Sequence, residues 1–101
     1  MAKRLRVDSA KIIGKPWKYT YRDGSHIDEN YGSTSYRNLS IEIIANLPLS
    51  LEQDVMMHET IHAIDESLSL GLTESQVNVL GCVLAGIFRD NPHVPDYLKQ
   101  T

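Results

Sequence analysis

The chain has one cysteine, Cys82, in 101 residues, so no internal disulfide staples it and an apolar core must hold it together. No apolar run approaches the roughly 20 residues that cross a bilayer, which excludes a membrane-spanning helix. The opening M-A-K-R-L-R-V-D is basic like the start of a secretory signal, but K-I-I-G-K-P-W-K follows where an apolar segment would be needed. Cytoplasm is therefore the expected compartment, with no membrane partner. Within V-L-G-C-V-L-A, Cys82 reads as a buried, inert thiol. Histidine is also scarce, with four in the chain, and that makes the placement of two of them informative.

What is present is an apolar content of 42%, that of a folded soluble protein, at a length that suits one domain spanning 1–101. The net charge of −3 conceals an asymmetry. Seven of the ten Lys and Arg residues fall within 1–24, and eleven of the thirteen acids fall after it. A basic front end can attract nucleic acid. No aromatic-basic interleaving or recognition-helix pattern accompanies it, so a nucleic-acid partner is disfavoured and a solvated face of a strand pair is expected.

The first half, residues 1–46, reads as strands and loops. L-R-V and W-K-Y-T-Y-R have β preference, and Trp17, Tyr19 and Tyr21 alternate with Lys18, Thr20 and Arg22. D-G-S at 23–25 is a turn signal, and H-I-D-E-N-Y-G-S-T-S reads as a polar loop. N-L-S-I-E-I-I-A is a strand, with Leu39, Ile41 and Ile43 on one face. Beyond Pro48 the period becomes helical. S-L-E-Q at 50–53 reads as a capping box for a helix over 51–69, with Leu51, Val55, His58, His62 and Asp65 on one stripe and Gly71 as terminator. T-E-S-Q at 73–76 reads as a second capping box, for a helix over 74–89 with an apolar stripe of Val77, Leu80, Val83, Leu84, Ile87 and Phe88. Residues 90–101 read as an irregular tail with room for one helical turn. The expected class is α+β: a small, mainly antiparallel sheet packed on two antiparallel helices.

The chemistry lies in V-M-M-H-E-T-I-H-A-I-D-E-S, residues 55–67. On a helix, His58 and His62 are one turn apart on one face and can share a metal ion, with Glu59 beside it. Zn2+ suits two neutral imidazoles and a carboxylate, leaves a fourth position for water, and places Glu59 to take that water's proton. The bland alternative is two histidines four apart by chance. It is disfavoured because two imidazoles on a core-facing stripe need polar partners, and a shared metal satisfies both.

For the third ligand, the extended pattern with a glycine and a third histidine fails, since Asp65 and Leu68 stand at those positions. Glu74 is the better candidate, at the start of a helix that can fold back along the first. Its bland role is a first-turn acid favoured by the helix dipole. Asp65 and Gln76 are weaker alternatives, and Asp65 suits an outer contact to the site better. Asn78, one turn after Glu74, can accept from the distal N–H of a ligating histidine.

H58-E59-T-I-H62 with E74-S-Q-V-N78 downstream resembles the gluzincin zinc metallopeptidases. In size and order of elements the chain is similar to minimal members, the short proteins of phage and mobile elements related to the ImmA/IrrE-like metallopeptidases. The close resemblance covers residues 55–84. It implies His58, His62 and Glu74 as ligands, Glu59 as catalytic base, Asn78 as helper, and hydrolysis of a peptide bond in a specific protein substrate such as a regulator. It also implies an edge strand that pairs with substrate, a role for which N-L-S-I-E-I-I-A is available, as is a place at the centre of the sheet. A Tyr or His that stabilises the oxyanion is implied too, and His93, Tyr97, His26 and Tyr31 are the candidates. The competing reading is a phage-type binding module that keeps the zincin fold and docks on a host protein without catalysis.

Overall fold

The computed structural model describes residues 4–23 and 31–101, and its first feature is a hairpin that the sequence conceals. Strand β1 (Ser9–Ile12) returns into β2 (Lys15–Arg22) through Ile13 and Gly14, at φ 50° and 77°. Two positive φ values in a two-residue link match the twist of antiparallel strands. A β-branched residue is costly there, so Ile13 gives no turn signal. The expected strand at Leu5–Val7 is not one. That segment runs on beside β2, where Tyr21 Oη donates to the Val7 carbonyl at 3.0 Å and Tyr19 N to that of Asp8 at 2.8 Å.

The chain re-enters the described residues at Tyr31 and forms β3 (Gly32–Ser35), where a loop was expected. It then turns, with Leu39 at φ 49°, into β4 (Ser40–Ile44). The sheet order is β1-β2-β4-β3, with β2 and β4 parallel and the other two pairs antiparallel. The sheet is thus mixed, and β4 is interior. The strand at the edge next to the helices is β3. Ile44 N donates to the Tyr31 carbonyl at 2.9 Å, which fixes the parity of the β3–β4 ladder. Ser33 and Ser35 bond to β4, and Gly32 and Thr34 turn their N–H and C=O groups to the outer edge, where no other described strand pairs.

Helix α1 (Leu49–Leu68) lies against β3 and β4, and α2 (Glu74–Asp90) packs on α1. The core joins Trp17 and Tyr19 of β2 to Ile41 and Ile43 of β4 and to Val55 and Ala63 of α1. Thr60 donates its one hydroxyl hydrogen to the Met56 carbonyl at 2.8 Å, so the Tyr19 hydroxyl is the donor in its 2.7 Å contact with Thr60. That bond fixes the rotation of α1 on the sheet. Burial is the main reason the pKa of Tyr19 lies above its ordinary value.

The capping box expected at Ser50 is absent. Pro48 is the N-cap and the helix starts at Leu49, so Ser50 already lies inside the first turn. The second box is present: Gln76 N donates to Thr73 Oγ1 at 3.1 Å, and Thr73 N to Gln76 Oε1 at 2.9 Å. Helix α2 touches α1 through small residues, with Val77, Gly81 and Ala85 buried. Leu80, Val83, Ile87 and Phe88 of the expected stripe remain exposed. Cys82, expected to be buried, is exposed as well, one turn after Asn78 beside that contact. In the tail, α3 (His93–Leu98) gives more order than expected. No helix among the described residues is long and apolar enough to cross a membrane.

Part of the basic front end has a structural use. Glu52, 4% exposed, accepts from Arg6 Nη2 at 2.8 Å and from Arg4 Nη1 at 3.0 Å. The Arg6 hydrogen bond is the main reason its pKa lies below the ordinary 4.5. A carboxylate with a lowered folded value contributes stability above its unfolded value, and loses that contribution as pH falls through the folded one. Glu52→Gln is therefore expected to cost about 1–3 kcal/mol at neutral pH. Denaturant titrations into acid check this: the gap to wild type should close below the ordinary carboxylate range, and a gap constant with pH would exclude the linkage.

Candidate metal centre

Helical spacing alone puts His58 and His62 on one face of α1, and the structure turns that face toward α2 and the β3 edge. The imidazole centroids are 4.9 Å apart with planes at 72°, and both rings are half-buried. Glu74, in the first turn of α2, reaches across with Oε1 2.8 Å from His58 Nε2 and Oε2 3.1 Å from His62 Nε2. One ligand atom from each of the three residues lies within 4.8 Å of the others. Two donors on a tetrahedral zinc sit roughly 3.3 Å apart when bonds are near 2.0–2.1 Å. Two imidazoles and a carboxylate at these separations fit such an ion with small side-chain adjustments.

Two features of the chain bring Glu74 there. Asp65 organises the link between the helices: its backbone carbonyl accepts from Leu70 N at 3.1 Å, and its carboxylate from Leu72 N at 3.1 Å. Ser69 supplies the left-handed residue at the helix end, at φ 52°, two positions before Gly71 at φ 72°. Asp65 thus holds the turn and does not line the cleft. The second feature is Gly81, on the same face of α2 as Glu74 two turns earlier. A Cβ there would stand 3.0 Å from both Cα and N of His58, so the helices meet at backbone distance. At the far end Arg89 Nη1 contacts Gln53 Oε1 at 3.1 Å and Asp54 Oδ1 at 3.2 Å, which completes the antiparallel pair.

Glu59 is buried at 7% exposure, although a carboxylate is rarely so deep without a cation. Its Oε2 is 4.0 Å from His58 Nε2, and its Oε1 accepts from Thr34 Oγ1 of β3 at 2.7 Å. Strand β3 approaches this closely because Gly32 has no side chain. A Cβ there would stand 2.9 Å from Val55 Cγ1 and 3.0 Å from Glu59 Cγ.

The cleft encloses about 740 Å³. Its walls are Tyr31 to Thr34 on one side, Glu74, Asn78 and Cys82 on another, and α1 from Leu51 to Glu66 as floor. Among the described residues the lining includes Asp54, Glu59, Glu66 and Glu74 and no lysine or arginine. Asn78 lines it as expected, but among the described residues its side chain bonds to neither histidine. His93 and Tyr97 are not brought to the cleft. They follow the C-terminal end of α2, and a 17-residue helix puts that end about 25 Å from Glu74. Of the other candidates Tyr31 lines the cleft, and His26 lies outside the described residues. The sequence reading missed Gly32, Thr34 and Gly81. A glycine inside a helical pattern was the available signal for Gly81.

Gly81→Ala is expected to move α2 off α1, weaken zinc binding roughly 10- to 100-fold and cost about 1–3 kcal/mol. Gly86, where an added Cβ meets nothing within 4 Å, is the control. Gly86→Ala should leave zinc binding unchanged and gain about 0.5–1 kcal/mol from helix propensity. Zinc competition titrations and denaturant unfolding of both variants check the pair.

No protein-family model matches the chain, and neither a curated protein sequence nor a solved structure matches it.

Proposed function

We propose that the domain is a zinc-dependent peptidase of gluzincin type that cleaves an extended segment of a specific protein. The observation that carries this reading is the convergence of His58, His62 and Glu74 on one point, with the buried Glu59 facing the same cleft. His58, His62 and Glu74 would hold the ion. A zinc ion bound there supplies a Lewis acid that acidifies a water molecule and polarises the scissile carbonyl.

The remaining work falls to the chain. Glu59 Oε2 takes the proton of the attacking water and returns it to the leaving amine nitrogen. Its burial keeps bulk water from competing for that oxygen. Gly32 and Thr34 offer N–H and C=O groups on the outer edge of β3, which no other described strand covers, so a substrate segment adds as a strand beside the metal face. This gives β3 the part that the sequence reading offered to residues 38–45. Tyr31, at the mouth of the cleft, is the lining phenol available to donate to the oxyanion.

A cleft open on one side, formed by one short edge strand, contacts only a few substrate residues. Selectivity then depends on surfaces beyond the cleft, which favours a particular folded or partly folded protein over general proteolysis.

The test starts with metal content. Wild type should carry about one zinc per chain and unfold at higher temperature when zinc is added, and Glu74→Ala should lose most of both effects. Glu59→Gln should keep the zinc and lose about 10²- to 10⁴-fold in cleavage of a fluorogenic peptide library. A wild type that takes up no zinc would remove the reading. Full biological effect from zinc-loaded Glu59→Gln would replace it with the docking module.

A further inference from the structure

We propose that Thr34 is the positioning residue for Glu59: its hydroxyl holds one carboxylate oxygen, so that the other is presented to the metal face. This inference rests on the peptidase reading of the same site.

The geometry carries it. Thr34 Oγ1 lies 2.7 Å from Glu59 Oε1 and 3.0 Å from the Glu59 backbone carbonyl oxygen. A hydroxyl has one hydrogen, and the shorter, charge-assisted bond to the carboxylate is the stronger of the two. Among the described residues no other side chain donates to Glu59, and His58 Nε2 stands 4.0 Å from Oε2. The two carboxylate oxygens are thus unequal: Oε1 is engaged by β3 and Oε2 is left toward the cleft.

A glutamate has three side-chain torsions, and a helix fixes none of the outer two. Without a partner the carboxylate would sample orientations that turn both oxygens away from the reacting water. Gly32 and Thr34 act on the same residue from one face of β3. The glycine lets the strand approach Glu59 Cγ, and the threonine, two positions on, reaches its head group. The strand that would receive substrate also sets the base, so both are fixed in one frame.

The purely structural alternative is that Thr34 only satisfies a buried carboxylate. Thr34→Val keeps the shape and removes the hydroxyl, Thr34→Ser keeps the hydroxyl, and Glu59→Gln removes the base. The probe is acetohydroxamate, whose acidic hydroxyl needs an acceptor beside the metal, titrated by calorimetry into zinc-loaded protein.

Thr34→Val is expected to bind zinc within about twofold of wild type and acetohydroxamate roughly tenfold or more weakly, with Thr34→Ser restoring most of the affinity. On any peptide that wild type cleaves, kcat should fall in Thr34→Val with KM held. If Thr34→Val does not fold, Thr34→Ala carries the same expectation.

Wild-type hydroxamate affinity in Thr34→Val, with Glu59→Gln impaired, would overturn the role of Thr34 and leave the peptidase reading standing. A parallel fall in zinc affinity and thermal midpoint, not rescued by serine, would make Thr34 structural only. Failure of wild type to bind zinc, or wild-type hydroxamate affinity in Glu59→Gln, would remove the peptidase reading and this inference with it.

Discussion

Helix α1 is pressed between two backbones, and at each contact one glycine makes the approach possible. On the sheet side Gly32 lets β3 come within van der Waals reach of Val55 and Glu59, and on the other side Gly81 lets α2 lie on the backbone at His58. Both contacts centre on the H-E pair. The first delivers a hydroxyl to the carboxylate and the outer edge of β3 to the cleft, and the second delivers Glu74 to the imidazoles. An alanine at either position separates the layers by a few tenths of an ångström or more, which is large when donor separations decide whether three ligands share an ion. A small domain has few other means of such precision, because its core is modest.

This sandwiching explains why α1 does not resemble an ordinary surface helix. Its positions Val55 and Ala63 are apolar and buried in the core, and its cleft face carries His58, Glu59, His62 and Glu66 beyond Leu51 and Val55. Where the cleft face meets the strand edge, Glu59 is buried without being in the core. Helix α2 contributes little to that core. It meets α1 through Val77, Gly81 and Ala85 and leaves larger apolar residues exposed, so its main structural result is placement of Glu74. The link that sets its direction is tied down by Asp65, a residue whose spacing in sequence suggested the metal site and whose hydrogen bonds serve the turn.

Elements with a strong local pattern were legible in the sequence. The alternation around Trp17 and Tyr19, the strand at Ile41 and Ile43, the Thr73–Gln76 box and the four-residue spacing of His58 and His62 each follow from one residue's relation to its near neighbours. What escaped depends on partners distant in the chain. Ile13 accepts a left-handed conformation because the hairpin twist demands it. Strand β3 is four residues of Gly, Ser and Thr, without an apolar face of its own, and is held in the sheet by β4 and against α1 by Gly32 and Thr34. Leu80, Val83 and Ile87 have helical spacing fit for burial, but the close approach at Gly81 selected a neighbouring face. Ser50 had the right residue type for a cap, yet Pro48 sets the helix start two positions earlier. The candidate ligands were readable for the first reason, and the positioning of Glu59 was hidden for the second.

Helix α1 buries two glutamates in different electrostatic settings. Glu52 and Glu59 are seven residues apart, two turns along one helix, and both are almost fully covered. Burying a carboxylate is costly unless a countercharge and hydrogen bonds replace its water. Glu52 has both, from Arg4 and Arg6, and its lowered pKa follows from that pairing. Among the described residues Glu59 has one threonine hydroxyl and no lysine or arginine beside it, and the cleft it faces is lined with further carboxylates. A cation seated among His58, His62 and Glu74 would supply the missing countercharge while leaving one Glu59 oxygen free to accept a proton. On the same helix, then, the first glutamate is neutralised to hold an end of the fold. The second has no charged side chain of opposite sign in contact among the described residues, beside the place where His58, His62 and Glu74 converge.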